Sequence, residues 1–267
     1  MLHHANLVDC PTMTSAHEHI YILTGASRGM GLAMARQLLA PGNTVLTLAR
    51  RVSGELAPLA ASAGAALTQW STDLTDGTAA ATHLRGWLGD ISPNRFATAT
   101  LINNAGAIPA IVPLRDSRPA DLANALRVGL EAPMLLTAAF LDATRDWPAQ
   151  RKVLNISSGL GRKAMASQSA YCAAKAGMDH FTRCLALDEA QMPNGAKVCS
   201  LAPGVIDTDM QVHLRGADAA AFPDRASFEQ LKQSGQLTSP EEAARRVLAY
   251  LARADFASEP VADVRQA

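Results

Sequence analysis

A glycine-rich segment at residues 24–31, TGASRGMG, directly follows a short apolar run at residues 20–24. It opens a segment of helical periodicity that ends at Pro41-Gly42. Glycine at such a junction permits a tight turn and lets the backbone approach a phosphate or a second element closely. Free N–H groups at the start of the helix then attract an anion. A strand, a glycine loop and a helix in this order predict a dinucleotide-binding unit of a parallel sheet.

Strand-like and helix-like segments alternate along the rest of the chain. Strands are predicted at residues 20–24, 44–49, 66–71, 99–102, 152–157, 196–200 and 261–264. Helices are predicted at residues 29–39, 75–88, 119–144, 168–189 and 239–254, and a further helical, alanine-rich segment after the second strand is predicted to end at about residue 63. This alternation predicts an α/β fold, a single doubly wound parallel sheet (Rossmann-type) with helices on both faces. No linker interrupts the pattern, so residues 18–267 are expected to form one domain after a flexible leader at residues 1–17.

The composition is that of a folded chain, because 48% of its 267 residues are hydrophobic and 18% are charged. The formal net charge of zero gives no support for a protein that binds nucleic acid or an anionic membrane. No apolar run reaches the roughly 20 residues of a membrane-spanning helix. The N-terminal segment lacks the charged start and apolar stretch of a secretory signal, so a cytoplasmic location is expected.

The four cysteines, Cys10, Cys172, Cys184 and Cys199, form no C-x-x-C pair. This spacing predicts free thiols and neither a disulfide nor a metal site. Met13 lies close to the first strand and is an alternative start of the chain.

Basic residues at the end of the second strand bear on the choice of dinucleotide. An NAD site places an acidic residue near this point to bind the ribose 2′-hydroxyl, whereas arginine favours the 2′-phosphate of NADP. Arg50 and Arg51 stand here, and Arg28 in the glycine loop is a further candidate cation. The alternative is that these arginines are surface charges. Asp73, after the third strand, is placed either to meet the adenine or to cap a helix or turn.

A tyrosine and a lysine with helical spacing are the candidates for proton transfer. Tyr171 and Lys175 share one face of a helix, and a lysine cation lowers the pKa of a nearby phenol from its usual value near 10. Such a pair is a general acid for a carbonyl oxygen. Ser158 follows the fifth strand, at the edge where ligands bind in parallel sheets, and its hydroxyl can hold the same carbonyl. The Tyr-x-x-x-Lys spacing is common by chance, so the assignment depends on the other motifs.

Several motifs occur together and in a recognisable order. They are TGASRGMG at 24–31, NNAG at 103–106, NISS at 155–158, YCAAK at 171–175 and PGVIDTDM at 203–210. With them the chain resembles the short-chain dehydrogenase/reductase family over nearly all of residues 20–264.

The resemblance implies that Tyr171 is the acid/base, that Ser158 is its hydrogen-bonding partner and that Lys175 binds the nicotinamide ribose. It also implies contacts to the cofactor from the loops after the strands. From the glycine loop, the basic residues and the resemblance together, the expected cofactor-binding residues are Gly25, Ser27, Arg28, Gly29, Met30, Gly31, Arg50, Arg51, Asp73, Leu74, Asn103, Ala105, Gly106, Val128, Tyr171, Lys175, Pro203, Gly204, Ile206 and Thr208.

One position departs from the family pattern. The family carries an asparagine in a Val-Asn-Leu context, which helps hold a water of the proton relay, and Gly129 stands there in this chain. Gly129 keeps the backbone carbonyl, which a helix kink would still present to water. It loses the side chain and costs up to about 1 kcal/mol of helix propensity, so the relay is expected to be weaker.

Shorter segments are similar to the sepiapterin reductases and the bacterial benzil-reductase-like enzymes, namely residues 171–181, 207–211 and 228–237. This similarity implies that Asp263 is the counterpart of the C-terminal aspartate that anchors the pterin in sepiapterin reductases; capping of a turn is the alternative for this residue. Residues 211–236 are expected to cover the substrate as a lid, with ordinary packing of two helices as the alternative.

These features predict an enzyme that uses NADPH to reduce a small-molecule carbonyl to an alcohol. The substrate is expected to be a ketone or vicinal diketone, with a pteridine side chain as a further candidate, and the enzyme a homodimer or homotetramer. Two alternatives stay open. One is an NAD(P)-dependent alcohol dehydrogenase acting oxidatively, and the other is a catalytically weak NADP-binding regulatory protein, which Gly129 alone supports.

Overall fold

Seven parallel strands form one sheet in residues 18–266, the part of the chain that the computed structural model describes. They are β1 (Glu18–Thr24), β2 (Asn43–Ala49), β3 (Ala66–Ser71), β4 (Phe96–Asn103), β5 (Gln150–Ile156), β6 (Lys197–Ala202) and β7 (Val261–Asp263). Their order across the sheet is β3-β2-β1-β4-β5-β6-β7, so the chain starts near the middle and winds outward in both directions. The predicted doubly wound parallel sheet is confirmed.

Helices connect the strands and cover both faces of the sheet. The α-helices of the described residues are α1 (Gly29–Leu38), α2 (Leu56–Ala63), α3 (Gly77–Gly89), α4 (Pro119–Leu126), α5 (Ala132–Ala143), α6 (Ser169–Glu189), α7 (Asp209–Arg215), α8 (Arg225–Gln233) and α9 (Pro240–Ala252).

Each face of the sheet has its own hydrophobic core, because neighbouring residues of a strand point to opposite sides. On β1, Leu23 packs with buried residues of α1, α2 and α9, whereas Ile22 packs with those of α3, α5 and α6. With both faces covered, the loops at the carboxyl ends of the strands remain as the place for a ligand.

The long helix predicted at residues 119–144 is present over residues 119–143, but it is not regular throughout. A wider, π-helical turn at Arg127–Glu131 divides it into α4 and α5. Pro133 has no N–H to donate to the carbonyl of Gly129 four residues earlier, so the regular ladder of hydrogen bonds is interrupted. Helical periodicity continues through this turn, which is why the sequence pattern predicts a single helix.

The start of α9 agrees with the sequence pattern. Ser239 is the N-cap, and its Oγ accepts a hydrogen bond from the N–H of Glu242 at 3.2 Å. Pro240 occupies the first turn, where its missing N–H is tolerated.

Some sequence predictions concern parts of the chain that are not described. The leader at residues 1–17, with Cys10 and the alternative start Met13, lies outside the described residues. Within residues 18–266, no helix combines the length and the apolar character that crossing a bilayer requires.

Candidate active site

A cleft of about 900 Å³ opens at the carboxyl ends of the strands, where the loops after β1 to β6 meet. Ser158, the candidate partner of the tyrosine, lines it. The predicted cofactor residues that line the same cleft are Gly25, Ser27, Arg28, Gly29, Met30, Gly31, Arg50, Asp73, Leu74, Ala105, Gly106, Val128, Tyr171, Lys175, Pro203, Gly204, Ile206 and Thr208. Arg51 and Asn103 are not among the lining residues.

The glycine loop packs so closely on the start of α1 that two of its positions require glycine. Gly25 has a φ of +74°, in the left-handed region, and its N–H donates to the carbonyl of Leu48 at 2.7 Å. A Cβ on Gly31 would lie 2.1 Å from the carbonyl oxygen of Gly25. Arg28, at the N-cap of α1, makes no side-chain cap, so the first N–H groups of the helix are available to an anion. This cradle fits the pyrophosphate of a dinucleotide.

The asparagine pair after β4 behaves differently from the prediction. Asn103 is buried, and its amide donates to Thr137 at 3.1 Å and to Asn155 at 2.9 Å, behind the cleft. Asn104 lines the cleft and holds the glycine loop by donating to the carbonyls of Thr24 at 2.9 Å and Gly25 at 3.3 Å. The NNAG motif therefore acts on the cleft through its second asparagine. The hydroxyl of Thr24 at the end of β1 supports the same segment, because it accepts hydrogen bonds from the backbone N–H groups of Asn104 at 2.9 Å and Ala105 at 3.0 Å.

The candidate phosphate-binding arginines differ in their surroundings. Arg50 lines the cleft, and its charge contributes to the lowered pKa of the nearby Asp73 carboxyl. The guanidinium of Arg50 forms no ion pair with a described residue. Arg28 is paired with Asp209 at 2.5 Å, which joins the glycine loop to α7 across the cleft. Arg51 is exposed outside the cleft, so the prediction that it contacts the cofactor lacks support from its position.

Asp73 combines parts of both interpretations made for it. It lines the cleft, and its Oδ1 accepts a hydrogen bond from the N–H of Thr75 at 3.0 Å, which is the main cause of its lowered pKa. It is thus a turn residue. The N-cap of α3 is the neighbouring Asp76, whose side chain accepts from the N–H of Ala79.

Lys175 is a buried ammonium that is tied to the end of β5. Its Nζ donates to the carbonyl of Ile156 at 2.7 Å, and only 4% of the residue is exposed. Burial lowers its pKa to about 8, and the nearby carboxylate of Asp179 partly opposes this shift. At neutral pH the group still carries its charge for most of the time.

Asp179, one helical turn after Lys175, connects α6 to two strands. Its Oδ1 accepts hydrogen bonds from Ser157 at 2.5 Å and from Ser200 at 2.7 Å, beside the ends of β5 and β6. Arg162 lies 3.7 Å from its other oxygen. Only 1% of Asp179 is exposed; its Oδ1 is satisfied by the two serines, whereas its Oδ2 has the ion pair with Arg162 but no hydrogen bond in the described residues. The two serine contacts hold α6 in a fixed rotation against the sheet.

Tyr171 lies in the same part of the cleft. Its ring centroid is 5.8 Å from Nζ of Lys175, and 7% of the residue is exposed. Burial raises the pKa of its phenol, and a hydrogen bond with Ser158 opposes this. The lowering of this pKa that the sequence predicts from Lys175 is therefore not found: burial is the main cause of the shift, and the opposing contribution comes from Ser158. Ser158 Oγ accepts from the N–H of Leu160 at 3.2 Å, so its O–H can donate to the Tyr171 oxygen or to a carbonyl oxygen in the cleft.

Known proteins that are similar to this chain identify its family. The family model for short chain dehydrogenases matches residues 19–219. This chain belongs to the short-chain dehydrogenase family. A benzil reductase ((S)-benzoin forming) from Bacillus cereus is 34% identical over 88% of this chain and 94% of that protein. The sepiapterin reductase of Bos taurus is 33% identical over 89% of this chain and 91% of that protein.

Solved structures include similar members of the short-chain dehydrogenase family. One is a metagenomic short-chain oxidoreductase in complex with NADP, with a TM-score of 0.68 and 26% identity. The match covers 94% of this chain and 96% of that one.

The interrupted helix lies where this short-chain dehydrogenase departs from the family pattern. Gly129 is buried in the π-helical turn, and a Cβ on it would lie 3.1 Å from the Cβ of Ala174 in α6. The glycine thus allows α6 to approach this turn closely. The hydrogen-bond ladder of the helix is irregular at this position, as the π-helical turn shows. Its neighbour Val128 lines the cleft, whereas Gly129 itself does not.

Asp263, at the end of β7, adopts the alternative role considered for it. Its carboxylate accepts hydrogen bonds from the Arg265 guanidinium at 2.8 and 2.6 Å and from the Arg265 backbone N–H at 3.0 Å. These bonds lower the pKa of Asp263. It caps a turn, and Arg265 is the residue of this pair that lines the cleft.

The segment predicted as a lid, residues 211–236, contains α8 and most of α7. Met210, Leu214 and Phe228 line the cleft, as an apolar roof would. Phe222 is fully buried and packs with Leu214 and Ile111 in a small cluster away from the two main cores. The segment therefore both covers the cleft, through Leu214 and Phe228, and packs as ordinary helices do, through Phe222.

We predict that Lys175→Met increases the free energy of unfolding at pH 7 by about 2 kcal/mol. The fall in the pKa of Lys175 from 10.5 to about 8 means that burial disfavours the charged lysine by roughly 3 kcal/mol. Replacing Lys175 with methionine removes this penalty but also removes the hydrogen bond to Ile156, which contributes about 1 kcal/mol. Because the folded pKa is lowered, the wild type gains stability as the pH rises from 8 to 10.5, so the difference shrinks there.

Urea unfolding at pH 7 and pH 10.5 measures this effect. Lys163→Met, at an exposed lysine on the rim of the cleft, is the control and should change stability by less than about 0.5 kcal/mol. A Lys175→Met protein that is less stable than the wild type at pH 7 contradicts the stated balance of charge burial and hydrogen bonding.

Proposed function

We propose that this protein uses NADPH to reduce a small-molecule carbonyl to an alcohol, and that its preferred substrates are vicinal diketones. The observation that carries the proposal is one cleft that holds a dinucleotide cradle together with Tyr171, Lys175 and Ser158. Relatives named for the reduction of benzil and of sepiapterin support this reaction class.

The side chains divide the work on the carbonyl. Bound NADPH would supply the hydride. Ser158 donates a hydrogen bond that orients the carbonyl oxygen, and Tyr171 donates the proton that this oxygen takes up. The ammonium of Lys175 stabilises the phenolate left on Tyr171 and is placed to bind the nicotinamide ribose. Because both groups are buried, their electrostatic interaction is stronger than it would be in water.

Two observations favour a diketone over a pteridine side chain. Benzil carries two adjacent carbonyl groups, and the relative from Bacillus cereus is named for its reduction. Asp263, the candidate pteridine anchor, is held on both carboxylate oxygens by Arg265.

The preference for NADPH rests on Arg50. Its guanidinium lines the cleft after β2 without an ion-pair partner in residues 18–266, which suits a 2′-phosphate. Arg28 is a weaker candidate because it is paired with Asp209.

We further propose a homodimer or homotetramer in the cytoplasm. Leu126 and Met134 leave about two fifths of their surface exposed beside a groove on α4 and α5, which is suited to a second copy. Cys172, Cys184 and Cys199 are free thiols, which fits a reducing compartment.

Replacing Arg50 with alanine is expected to raise the KM for NADPH at least tenfold and to leave the KM for NADH nearly unchanged. The cation at this position interacts with a phosphate that only NADPH carries. Steady-state assays with both cofactors test this, with Arg51→Ala as the matched control outside the cleft. Equal losses with NADH and NADPH, or a loss with Arg51→Ala alone, would contradict the assignment.

Tyr171→Phe is expected to lower kcat for benzil reduction by more than a thousandfold, because the proton donor is removed while the contacts that bind NADPH remain. The rate of NADPH oxidation, followed by absorbance, gives kcat, and a fluorescence titration with NADPH measures cofactor binding. Tyr21→Phe, at a half-buried tyrosine of β1, is the control. Reduction retained by Tyr171→Phe would refute the proposed role.

A further inference from the structure

Two glutamines at the wall of the cleft have no role in the chemistry described so far. Gln168 is 1% exposed and Gln211 is 7% exposed, and both line the cleft that contains Tyr171. Both amide atoms of Gln168 and the Oε1 of Gln211 are buried without a hydrogen-bond partner in the described residues. Leaving such groups unpaired costs about 1–3 kcal/mol each, so each is expected to have a partner that enters through the cleft.

The position of Gln168 directs it to the reacting centre. It precedes Tyr171 by three residues at the start of α6, and both residues line the same cleft. Gln168 is the N-cap residue of α6, yet its side chain makes no cap hydrogen bond. The helix therefore does not use this amide.

The residue before Gln168 fixes the backbone that carries it. Ser167 has a φ of +60°, a conformation that is strained for a residue with a side chain. Its hydroxyl donates to the carbonyl of Ala221, in the connection between α7 and α8. This bond joins the start of α6 to the roof segment that also carries Gln211.

We propose that Gln168, assisted by Gln211, is the specificity residue that binds the second carbonyl oxygen of a vicinal dicarbonyl substrate. The inference rests on the proposed function. Tyr171 and Ser158 hold the oxygen that becomes the alcohol, and the Gln168 amide, one helical turn before Tyr171, donates to the oxygen on the adjacent carbon. A monoketone leaves the buried amide unpaired and is therefore a poorer substrate.

Benzil and deoxybenzoin form a matched pair for the test, because deoxybenzoin has a methylene group in place of the second carbonyl. In Gln168→Leu, kcat/KM for benzil should fall about tenfold, whereas kcat/KM for deoxybenzoin should stay unchanged or rise. Gln211→Leu should shift the ratio in the same direction by a smaller factor. Gln230→Leu, at an exposed glutamine of α8 outside the cleft, should leave both values at the wild-type level.

Binding of (S)-benzoin to the NADP-loaded protein gives a second readout that does not depend on turnover. Calorimetric titration should show a dissociation constant about tenfold higher in Gln168→Leu than in the wild type, with NADPH affinity unchanged. Equal changes for benzil and deoxybenzoin, or no change in either, would overturn the role of Gln168 and leave the proposed function standing. A wild type that reduces neither compound would overturn the proposed function itself.

Discussion

The hydrogen bond from Lys175 Nζ to the carbonyl of Ile156, at 2.7 Å, is the contact on which the candidate site depends. It holds a buried cation at the end of β5, next to the loops that form the cleft. Burying an ammonium is unfavourable unless polar partners surround it, and here the carbonyl of Ile156 and the carboxylate of Asp179 supply them. Because α6 can satisfy these contacts in one rotation only, Tyr171 is directed into the cleft by the same interactions.

A second constraint acts on the other side of the cleft, through close approach of backbone segments. The carbonyl of Gly25 lies where a Cβ on Gly31 would be, so loop and helix touch without an intervening side chain. Asn104 secures this arrangement from the end of β4. The dinucleotide cradle and the proton donor are thus held by separate sets of contacts, one to each half of the sheet, and they meet at the cleft.

The sequence predicts the sheet and most of the cleft because periodicity and glycine positions reflect local physics. The alternation of apolar strands with helices predicts a doubly wound parallel sheet. The helical spacing of Tyr171 and Lys175 predicts that the two side chains share one face of a helix. Contacts between residues that are distant in the sequence leave no local pattern, so the sequence does not predict them. Nothing local indicates that Arg28 pairs with Asp209, or that Asn104 rather than Asn103 lines the cleft. The interruption at Gly129 depends on Pro133, whose effect appears four residues earlier in the chain.

We infer that the phenol of Tyr171 and the ammonium of Lys175 face the reactive end of a dinucleotide bound along the glycine loop. A crystal structure of the protein with NADP tests it most directly. We expect the pyrophosphate at the start of α1, the 2′-phosphate at Arg50, the nicotinamide ribose within hydrogen-bond distance of Lys175 Nζ, and the Tyr171 hydroxyl beside the nicotinamide ring. A dinucleotide bound elsewhere, or a nicotinamide remote from both side chains, would contradict it.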